Sequence, residues 1–342
     1  LLSDASLALS NTADLAASGP ASQLYTFPPP STAPIPVTGI PSNLRAGTPT
    51  FSPDGRHIAF DFIGGTIGAV TGNGTQLVAM DYDAAAQAFS NLRTLATVAG
   101  GRRAGFPSFL PTNDAVVYHY QIVNSNHRYN TWHGAQAQIW GSDLATGKAT
   151  VLGALNGLNP DGTTSYLPTG ANNHGSDTTL NYEPVVAPIS AGGYAWVIFT
   201  SRRLYGNLAT TDPWLSDPRN YDSSQYGNVT CKKLWVAAID INAPAGTDSS
   251  HPAFYLPAQE LVAGNARGFW VLDPCRADGA SCETGDQCCN GFCQPNGPGG
   301  ANICSSGSTN KCSAVQERCA AASDCCDASN LCINNFCAPV IG

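Results

Sequence analysis

Residues 47–62 read GTPTFSPDGRHIAFDF, the pattern of two strands joined by a tight turn. In the turn, Pro53 supplies the fixed φ of about −65° that the second turn position needs, and Gly55 tolerates a positive φ. Residues 57–62 then alternate side chains between two faces, which is the period of a half-buried strand. The stretch therefore predicts an antiparallel hairpin.

The same order of strand, turn and strand returns along the chain. The later copies are GFPSFLPTNDAVVYHY (105–120), AQIWGSDLATGKATVL (137–152), YEPVVAPISAGGYAWVIFTS (182–201) and KKLWVAAIDINAPAGT (232–247), with a weaker start at ARGFWVLDP (266–274). The units begin at Pro49, Pro107, Pro184 and near Arg267, 58 to 83 residues apart. Repeats of this size, each with about four strands, indicate a propeller or an array.

The first unit, PTFSPDGRHIAF (49–60), resembles the repeat of TolB-type β-propellers, in which a Ser-Pro-Asp-Gly turn joins two strands of each blade. The turns of the second and third units, LPTND (110–114) and APISAGG (187–193), keep the spacing more than the letters. Residues 181–207 also resemble secreted propeller proteins of myxobacteria-like bacteria. The resemblance implies an all-β fold, a β-propeller of about four blades.

The predicted domains are an extended arm (1–45), the TolB-like propeller (46–273) and two small disulfide-rich modules (274–305 and 306–342). The fourth blade is expected to combine the 266–274 strand with SQLYTF (22–27). Such closure would remove exposed sheet edges.

The arm contains TFPPPSTAPIPV (26–37), whose prolines lack donors and favour an extended, polyproline-like chain. A flexible leader is the simpler interpretation of its composition. The alternative is that its apolar stretches add as strands to a blade edge. An edge of the same chain would close a monomer, whereas an edge of the next chain would build a ring or filament.

Twelve of the 13 cysteines lie between Cys275 and Cys337. Two similar stretches, CETGDQCCNGFC (282–293) and CAAASDCCDASNLC (319–332), each contain an adjacent pair. Dense cysteine persists in oxidising compartments, so we expect a secreted or surface-exposed protein. A chain that begins at Leu1 without methionine fits the removal of a signal peptide or propeptide.

Each set of six cysteines allows 15 pairings, and the sequence alone does not choose among them. The framework resembles the inhibitor cystine knot, which pairs the first cysteine with the fourth, the second with the fifth and the third with the sixth. The resemblance implies the bridges Cys275–Cys289, Cys282–Cys293, Cys288–Cys304, Cys312–Cys326, Cys319–Cys332 and Cys325–Cys337. Zinc is disfavoured because Cys288 and Cys289 are adjacent. Cys231 is left over, either as a buried free thiol or as a bridge to another chain.

The chain has 16 Lys and Arg against 24 Asp and Glu, a formal net charge of −8. With only four lysines, no basic patch is expected, and nucleic acid and anionic membrane surfaces are excluded as partners. No run of about 18 apolar residues predicts a membrane span.

The motifs of several enzyme classes are absent from the sequence: a Gly-x-Ser-x-Gly elbow, a His-Glu-x-x-His helix and a phosphate-binding Walker loop. His119, His127 and His133 lie among aromatic residues in 118–134 and are candidates for a metal or glycan face on a propeller loop. Asp161 and Asp177 are candidate calcium ligands, although turn chemistry also explains them.

We therefore expect a non-enzymatic extracellular structural or binding protein, with a filament built through the arm as one form of it. The alternative is a secreted enzyme, or a glycan- or metal-binding propeller, that uses the loop face around His119–His133. The expected partners are other protein chains, including copies of itself, and a glycan ligand. No cofactor is expected apart from calcium as a candidate.

Overall fold

The structure of the chain is a computed structural model. It describes residues 7–10, 21–26, 33–122, 136–167, 177–203, 232–244, 246–259, 265, 267–271, 276–289, 291–296, 300–305, 312–315, 317–319, 321–333 and 336–338. The chain divides into two compact units, the first made of Leu1–Pro188 with Trp196–Phe269 and the second of Ile189–Ala195 with Trp270–Gly342.

The first unit contains a short hairpin and then three four-stranded antiparallel sheets that follow one another along the chain. The hairpin is formed by β1 (Leu7–Leu9) and β2 (Leu24–Thr26). The first sheet has the order β3 (Arg45–Phe51), β4 (His57–Gly64), β7 (Gln76–Asp83) and β8 (Ala88–Thr97), with a small hairpin of β5 (Thr66–Ile67) and β6 (Val70–Thr71) between β4 and β7.

The second and third sheets repeat the strand order of the first. The second sheet is β9 (Ala104–Phe109), β10 (Ala115–Gln121), β11 (Ala137–Asp143) and β12 (Ala149–Val151). After a one-turn helix, α1 (Gly153–Asn156), and a 3-10 turn (Asp177–Thr179), the third sheet is β13 (Asn181–Val186), β14 (Tyr194–Ser201), β15 (Lys233–Asp240) and β16 (Phe254–Tyr255). The strands β3, β9 and β13 contact one another in turn, so the three sheets are arranged as propeller blades. The predicted all-β propeller class is confirmed.

The predicted hairpin of residues 47–62 is formed by β3 and β4, which pair antiparallel. The hydroxyl of Ser52 donates to Oδ1 of Asp54 at 2.5 Å, and the backbone N–H of His57 donates to Oγ of Ser52 at 2.9 Å. Gly55 completes the turn with φ of +72°. Side-chain and backbone bonds therefore fix this turn together.

The composite fourth blade does not form among the described residues. Residues 24–26 pair instead with Leu7–Leu9, and residues 267–271 belong to no strand. The physical reason is burial, since Leu9 and Leu24 pack into the core of the first blade beside Leu44. Their apolar surface is removed from water without a partner strand from 266–274.

The described part of the arm lies along its own first blade. Ser22 donates its backbone N–H to the carbonyl of Leu44 at 2.7 Å, and its Oγ accepts from the N–H of Ala46 at 3.0 Å. Further along, Thr38 donates to the carbonyl of Gln87 at 3.1 Å and accepts from the N–H of Phe89 at 2.9 Å, at the start of β8. The arm is thus joined to both sides of the blade by backbone hydrogen bonds.

The first strands of the three blades are β3, β9 and β13, and we call them the inner strands. They share a bulge at the same position of each repeat. Thr48, Phe106 and Glu183 have φ of +46°, +52° and +53°, and each is followed by a proline. The pairing register shifts at each of these places. A bulge adds an unpaired residue and bends the strand, and a left-handed φ is costly for residues other than glycine.

The second unit holds the two cysteine-rich modules. Their hairpins are β17 (Phe292–Pro295) with β18 (Asn302–Ser305), and β19 (Leu331–Ile333) with β20 (Phe336–Ala338). A 3-10 turn precedes each hairpin, at Gly285–Gln287 and Ala322–Asp324. The two modules therefore repeat one local fold.

Five disulfides link the described cysteines, with Cα–Cα separations of 4.9 to 5.9 Å. They are Cys282–Cys293, Cys288–Cys304, Cys312–Cys326, Cys319–Cys332 and Cys325–Cys337, the same pairs that the knot resemblance implies. Cys275, and with it the Cys275–Cys289 pair, lies outside the described residues, as does Cys231. No bridge among those described joins the two modules.

Candidate binding site at one end of the inner strands

The inner strands of neighbouring blades in the first unit run in the same direction. The N–H of Phe106 donates to Oγ1 of Thr48 at 2.8 Å, and these residues occupy equivalent positions in neighbouring inner strands. In the turns at the other end of the same strands, the N–H of Asp54 donates to Oδ1 of Asn113 at 3.1 Å. At one end of the first unit, β3, β9, β13 and β15 begin and β4, β10 and β14 end. We call this end the amino end.

Charge is segregated between the two ends of the first unit. Eight of the chain's 16 Lys and Arg lie at the amino end: Arg45, Arg102, Arg103, Arg202, Arg203, Lys232, Lys233 and Arg267. The described carboxylates there are Asp61, Asp177, Glu183 and, in the loop after α1, Asp161. The overall composition does not indicate this concentration of cations at one end.

The opposite end carries the reverse excess. Its carboxylates are Asp54, Asp81, Asp83, Asp114, Asp143, Asp240 and Asp248, and its described cations are Arg56, Arg93 and Lys148. The cations at the amino end belong to strands that are far apart in sequence, so only folding places them at one end of the first unit. The field of the first unit therefore favours negative charge at the amino end among the described residues.

Arg267 is a cation of the amino end that contacts two aromatic rings. Its Cζ lies over the ring of Phe106 at 5.3 Å from the centroid and over that of Phe269 at 5.5 Å. Within the described part of the chain, no hydrogen bond or ion pair engages the guanidinium, and its Nε is buried without a partner. Burial lowers the pKa of Arg267, and the nearby Glu183 carboxylate opposes this shift.

Glu183 is the bulge residue of the third blade and lies in the field of two cations. Burial raises the pKa of its carboxyl, while Lys232 and Arg267 act to lower it. Among the described residues, neither cation forms a direct ion pair with Glu183. Burial in turn lowers the pKa of Lys232, whereas Glu183 raises it. The Glu183 carboxylate thus interacts electrostatically with both Lys232 and Arg267.

His119 lies within β10 and not on a loop. Its side chain is 2% exposed, and its ring lies 5.8 Å from that of Phe106 and 5.7 Å from that of Tyr182. Burial lowers the pKa of His119 to about 3, so the ring is neutral at physiological pH. His127 and His133 lie outside the described residues, so the structure does not bring the three candidate histidines together.

The two candidate calcium ligands have different environments. Asp161 is exposed and caps its own turn, accepting hydrogen bonds from the backbone of Thr163 and from the backbone and hydroxyl of Thr164. These bonds lower the pKa of Asp161 to about 2. Asp177 is buried at the start of a 3-10 turn. The turn chemistry expected from the sequence accounts for Asp161.

Clustered metal-ligating atoms occur, within the described ranges, only in the cysteine modules. The sulfurs of Cys282, Cys288 and Cys304 lie within 4.8 Å of one another, as do those of Cys319, Cys325 and Cys337. All six are in disulfides and therefore offer no thiolate to a metal.

Sequence reasoning missed Phe106, Glu183 and the environment of Arg267. A signal was present, because each inner strand carries its proline directly after the bulge residue. A residue before proline is restricted in conformation. The repeated dipeptides Thr48-Pro49, Phe106-Pro107 and Glu183-Pro184 could therefore have marked the bulges.

The fold and this site define a β-propeller with a cationic end. Solved structures similar to the chain include an oligogalacturonate lyase from Vibrio parahaemolyticus, with 10% identity, a TM-score of 0.29, and coverage of 58% of this chain and 48% of the lyase. TolB from Acinetobacter baumannii has 13% identity, a TM-score of 0.30, and coverage of 69% and 50%.

Hydrazine synthase from Kuenenia stuttgartiensis has 12% identity, a TM-score of 0.29, and coverage of 64% of this chain and 44% of that one. The matched part of this chain thus spans half or less of these structures. No protein-family model and no curated protein matches the sequence. Among the described residues, no helix is long and apolar enough to cross a membrane.

Proposed function

We propose that this chain is a non-enzymatic extracellular binding protein whose amino end binds an acidic glycan. The carrying observation is that half of all Lys and Arg lie at that end of a chain with a net charge of −8. The disulfides of the second unit support an oxidising location. Rigid scaffolds such as propellers and other β folds commonly carry binding residues on their loops.

The depth of the cations favours a flexible polymer over a nucleic acid duplex. Arg103, Arg202, Arg203 and Lys233 are 1 to 6% exposed, so they do not form a flat basic surface. Duplex recognition requires many exposed cations along a regular phosphate backbone. A polysaccharide can instead direct single acidic groups toward the partly buried Arg45, Lys232 and Arg267.

The described histidines support a binding role over acid–base catalysis. His119 is neutral and buried, which separates it from any substrate proton. His57 Nδ1 bonds Asp81 at 2.8 Å, and this carboxylate also contacts Asn91 and Arg93. The network joins neighbouring strands of the first blade, which is a structural role.

The test is equilibrium binding to three polymers of similar length: a polyuronate, a sulfated glycan and a neutral glycan. We expect binding of the acidic polymers only, weakening as salt rises. The double variant Arg45→Gln with Lys232→Gln should bind less tightly, and the double variant Arg56→Gln with Lys148→Gln, at two exposed positions of the opposite end, is the charge-matched control. Equal binding of the neutral polymer would reject the proposal, and release of shortened products would favour the enzyme alternative.

A second candidate function is self-assembly through the N-terminal arm. Leu24 is fully buried in the core of the first blade, and Leu7, Ile35, Val37 and Ile40 of the arm pack against the same core. The same contacts made by the arm of a neighbouring copy would build a head-to-tail polymer. Deletion of residues 1–20, followed by size-exclusion chromatography and electron microscopy, tests this. An unchanged assembly state with a folded body would remove the arm from polymerisation.

We also propose that both cysteine modules are cystine knots that protect the C-terminal region from proteolysis. The second module supports this with its three described bridges, which pair first with fourth, second with fifth and third with sixth. Modules of this size cannot bury a sizeable core, so bridges of about 2–4 kcal/mol each supply stability. Protease half-life before and after reduction measures this role, and equal half-lives would argue against it.

A further inference from the structure

We infer that Arg267 is the residue that selects the acidic group of the ligand, and that it binds a carboxylate through two parallel N–H···O bonds. This inference rests on the proposed function of the amino end. It goes further because it names one side chain, one chemical group and one geometry.

The guanidinium of Arg267 has unused hydrogen-bonding capacity. The guanidinium carries five N–H donors, and none of them is engaged among the described residues, although Nε is buried. Buried donors in folded proteins almost always have a partner. The contacts with the rings of Phe106 and Phe269 do not use the donors, because these lie in the guanidinium plane.

Contacts on both sides of Arg267 along the chain restrict its position before any ligand arrives. Asn265 donates its backbone N–H to the carbonyl of Lys232 at 2.8 Å, and its side chain donates to Oε1 of Gln259 at 2.7 Å. A Cβ added at Gly268 would come within 2.7 Å of Cδ1 of Ile198, so the backbone at Gly268 lies close to the side chains of β14. Contacts on both sides therefore fix the backbone around Arg267, which lowers the entropy cost of binding.

The geometry and charge around Arg267 favour a carboxylate as the bound anion. A carboxylate is planar and presents two oxygens at the spacing of the guanidinium fork. The protein's own carboxylate nearby, Glu183, forms no ion pair with Arg267 and leaves the fork open. Its negative charge also disfavours ligands of higher charge, such as phosphate monoesters. A singly charged carboxylate meets both conditions.

The first experiment compares Arg267→Lys and Arg267→Ala with Arg56→Ala as the charge control. Lysine keeps the charge but cannot form the fork. We expect Arg267→Lys to bind a polyuronate about tenfold more weakly while its affinity for a sulfated glycan changes by less than about threefold. Wild-type binding of the polyuronate by Arg267→Lys, or an equal loss for both polymers, would overturn the inference. Circular dichroism and urea unfolding verify that each variant is folded.

The second experiment observes Arg267 directly and does not depend on polymer binding. In protein labelled with ¹⁵N-arginine, the Nε–Hε signal of Arg267 is assigned by its loss in Arg267→Lys. We expect it to shift on addition of monomeric galacturonate and to stay in place with galactose. A shift without polymer binding would reject the proposed function and support the carboxylate site. Polymer binding by the wild type with no shift would support the function and reject the site.

Discussion

Asp61 and Arg103 form a buried pair between the first two blades, in which Nη1 of Arg103 donates to Oδ2 of Asp61 at 3.2 Å. Asp61 is 0% exposed, and its Oδ1 has no partner among the described residues. Burial raises the pKa of Asp61 well above its usual 3.8, against the opposing effect of Arg103. The burial effect dominates because a single bond does not replace the hydration of a carboxylate.

This shift predicts that acid stabilises the first unit through Asp61. The folded chain keeps the Asp61 proton to higher pH than the unfolded chain, whose carboxyl titrates near 3.8. The unfolding free energy should therefore fall as pH rises from about 4 through the raised pKa of the folded state. Asp61→Asn should remove this part of the slope in urea unfolding between pH 4 and 8. Asp83→Asn, on the surface, is the control, and an unchanged slope in Asp61→Asn would contradict the prediction.

The bulge at Glu183 predicts a stabilising substitution. Asparagine adopts the left-handed region more readily than glutamate, and it removes a buried carboxyl. We expect Glu183→Asn to raise the unfolding free energy by about 1 kcal/mol. Glu183→Gln removes the charge but keeps the strain, so thermal or urea unfolding should place it below Glu183→Asn. Equal stabilities would show that charge alone accounts for the effect.

The contacts between the arm and the first blade predict that a substitution in the arm lowers the unfolding free energy of the chain by a large amount. Leu24→Ala should lower the unfolding free energy by about 2–5 kcal/mol, because it leaves a cavity beside Leu44. Leu7→Ala is a matched control in the same hairpin, since Leu7 is only partly buried, and it should cost less. Tryptophan fluorescence in urea gives both values. Similar small losses would indicate that the arm does not contribute to the folded core.

Glu317 and Gln294 predict coupling between the two cysteine modules. Nε2 of Gln294 donates to Oε1 of Glu317 at 3.0 Å, while Oε2 of Glu317 accepts from the N–H of Ala314 at 2.8 Å. Glu317→Ala should cost about 1.5–3 kcal/mol, because one bond is buried, the other is partly buried and the Glu317 carboxylate is charged. A double-mutant cycle with Gln294→Ala should give a coupling energy of about 1 kcal/mol. A coupling energy of zero would mean that the modules are stabilised separately.

The bridge pattern predicts the masses of non-reduced tryptic peptides. Lys311 separates the two cysteine sets in sequence, so cleavage there should release fragments that each hold three bridges. Cleavage after Arg276 should leave Cys275 attached to Cys289. Mass spectrometry before and after reduction identifies these pairs. A peptide that joins cysteines from both sides of Lys311 would contradict the prediction that each module forms its own set of three disulfides.

The sequence predicts the blades because their signals are local. Alternation in residues 57–62 and the turn chemistry of Pro53 and Gly55 both act within a few residues of the chain. The fourth blade was expected from SQLYTF for the same reason, since the segment has strand character. Its partner depends on where Leu24 finds apolar surface, which is a question of tertiary packing that a local pattern does not answer.

The site was harder to predict because its residues converge from distant positions. Phe106, Glu183 and Arg267 are separated by 77 and 84 residues, and none belongs to a spaced motif. The histidine-rich stretch was a better local signal, yet His119 alternates into the blade interior with the strand period. The negative net charge of the chain likewise does not indicate the cationic amino end, because net charge carries no information about where the charged residues lie in the fold.

Thr38 covers part of the outer edge of the first blade. By bonding Gln87 and Phe89, it occupies backbone groups at the start of β8, the outermost strand of the first blade. Removal of the whole arm would expose that strand to the strands of other molecules, and bare sheet edges promote aggregation. Loss of the arm to a protease could therefore make the protein insoluble while every blade stays folded. The arm would then keep the protein soluble, and aggregation after its loss would resemble specific assembly.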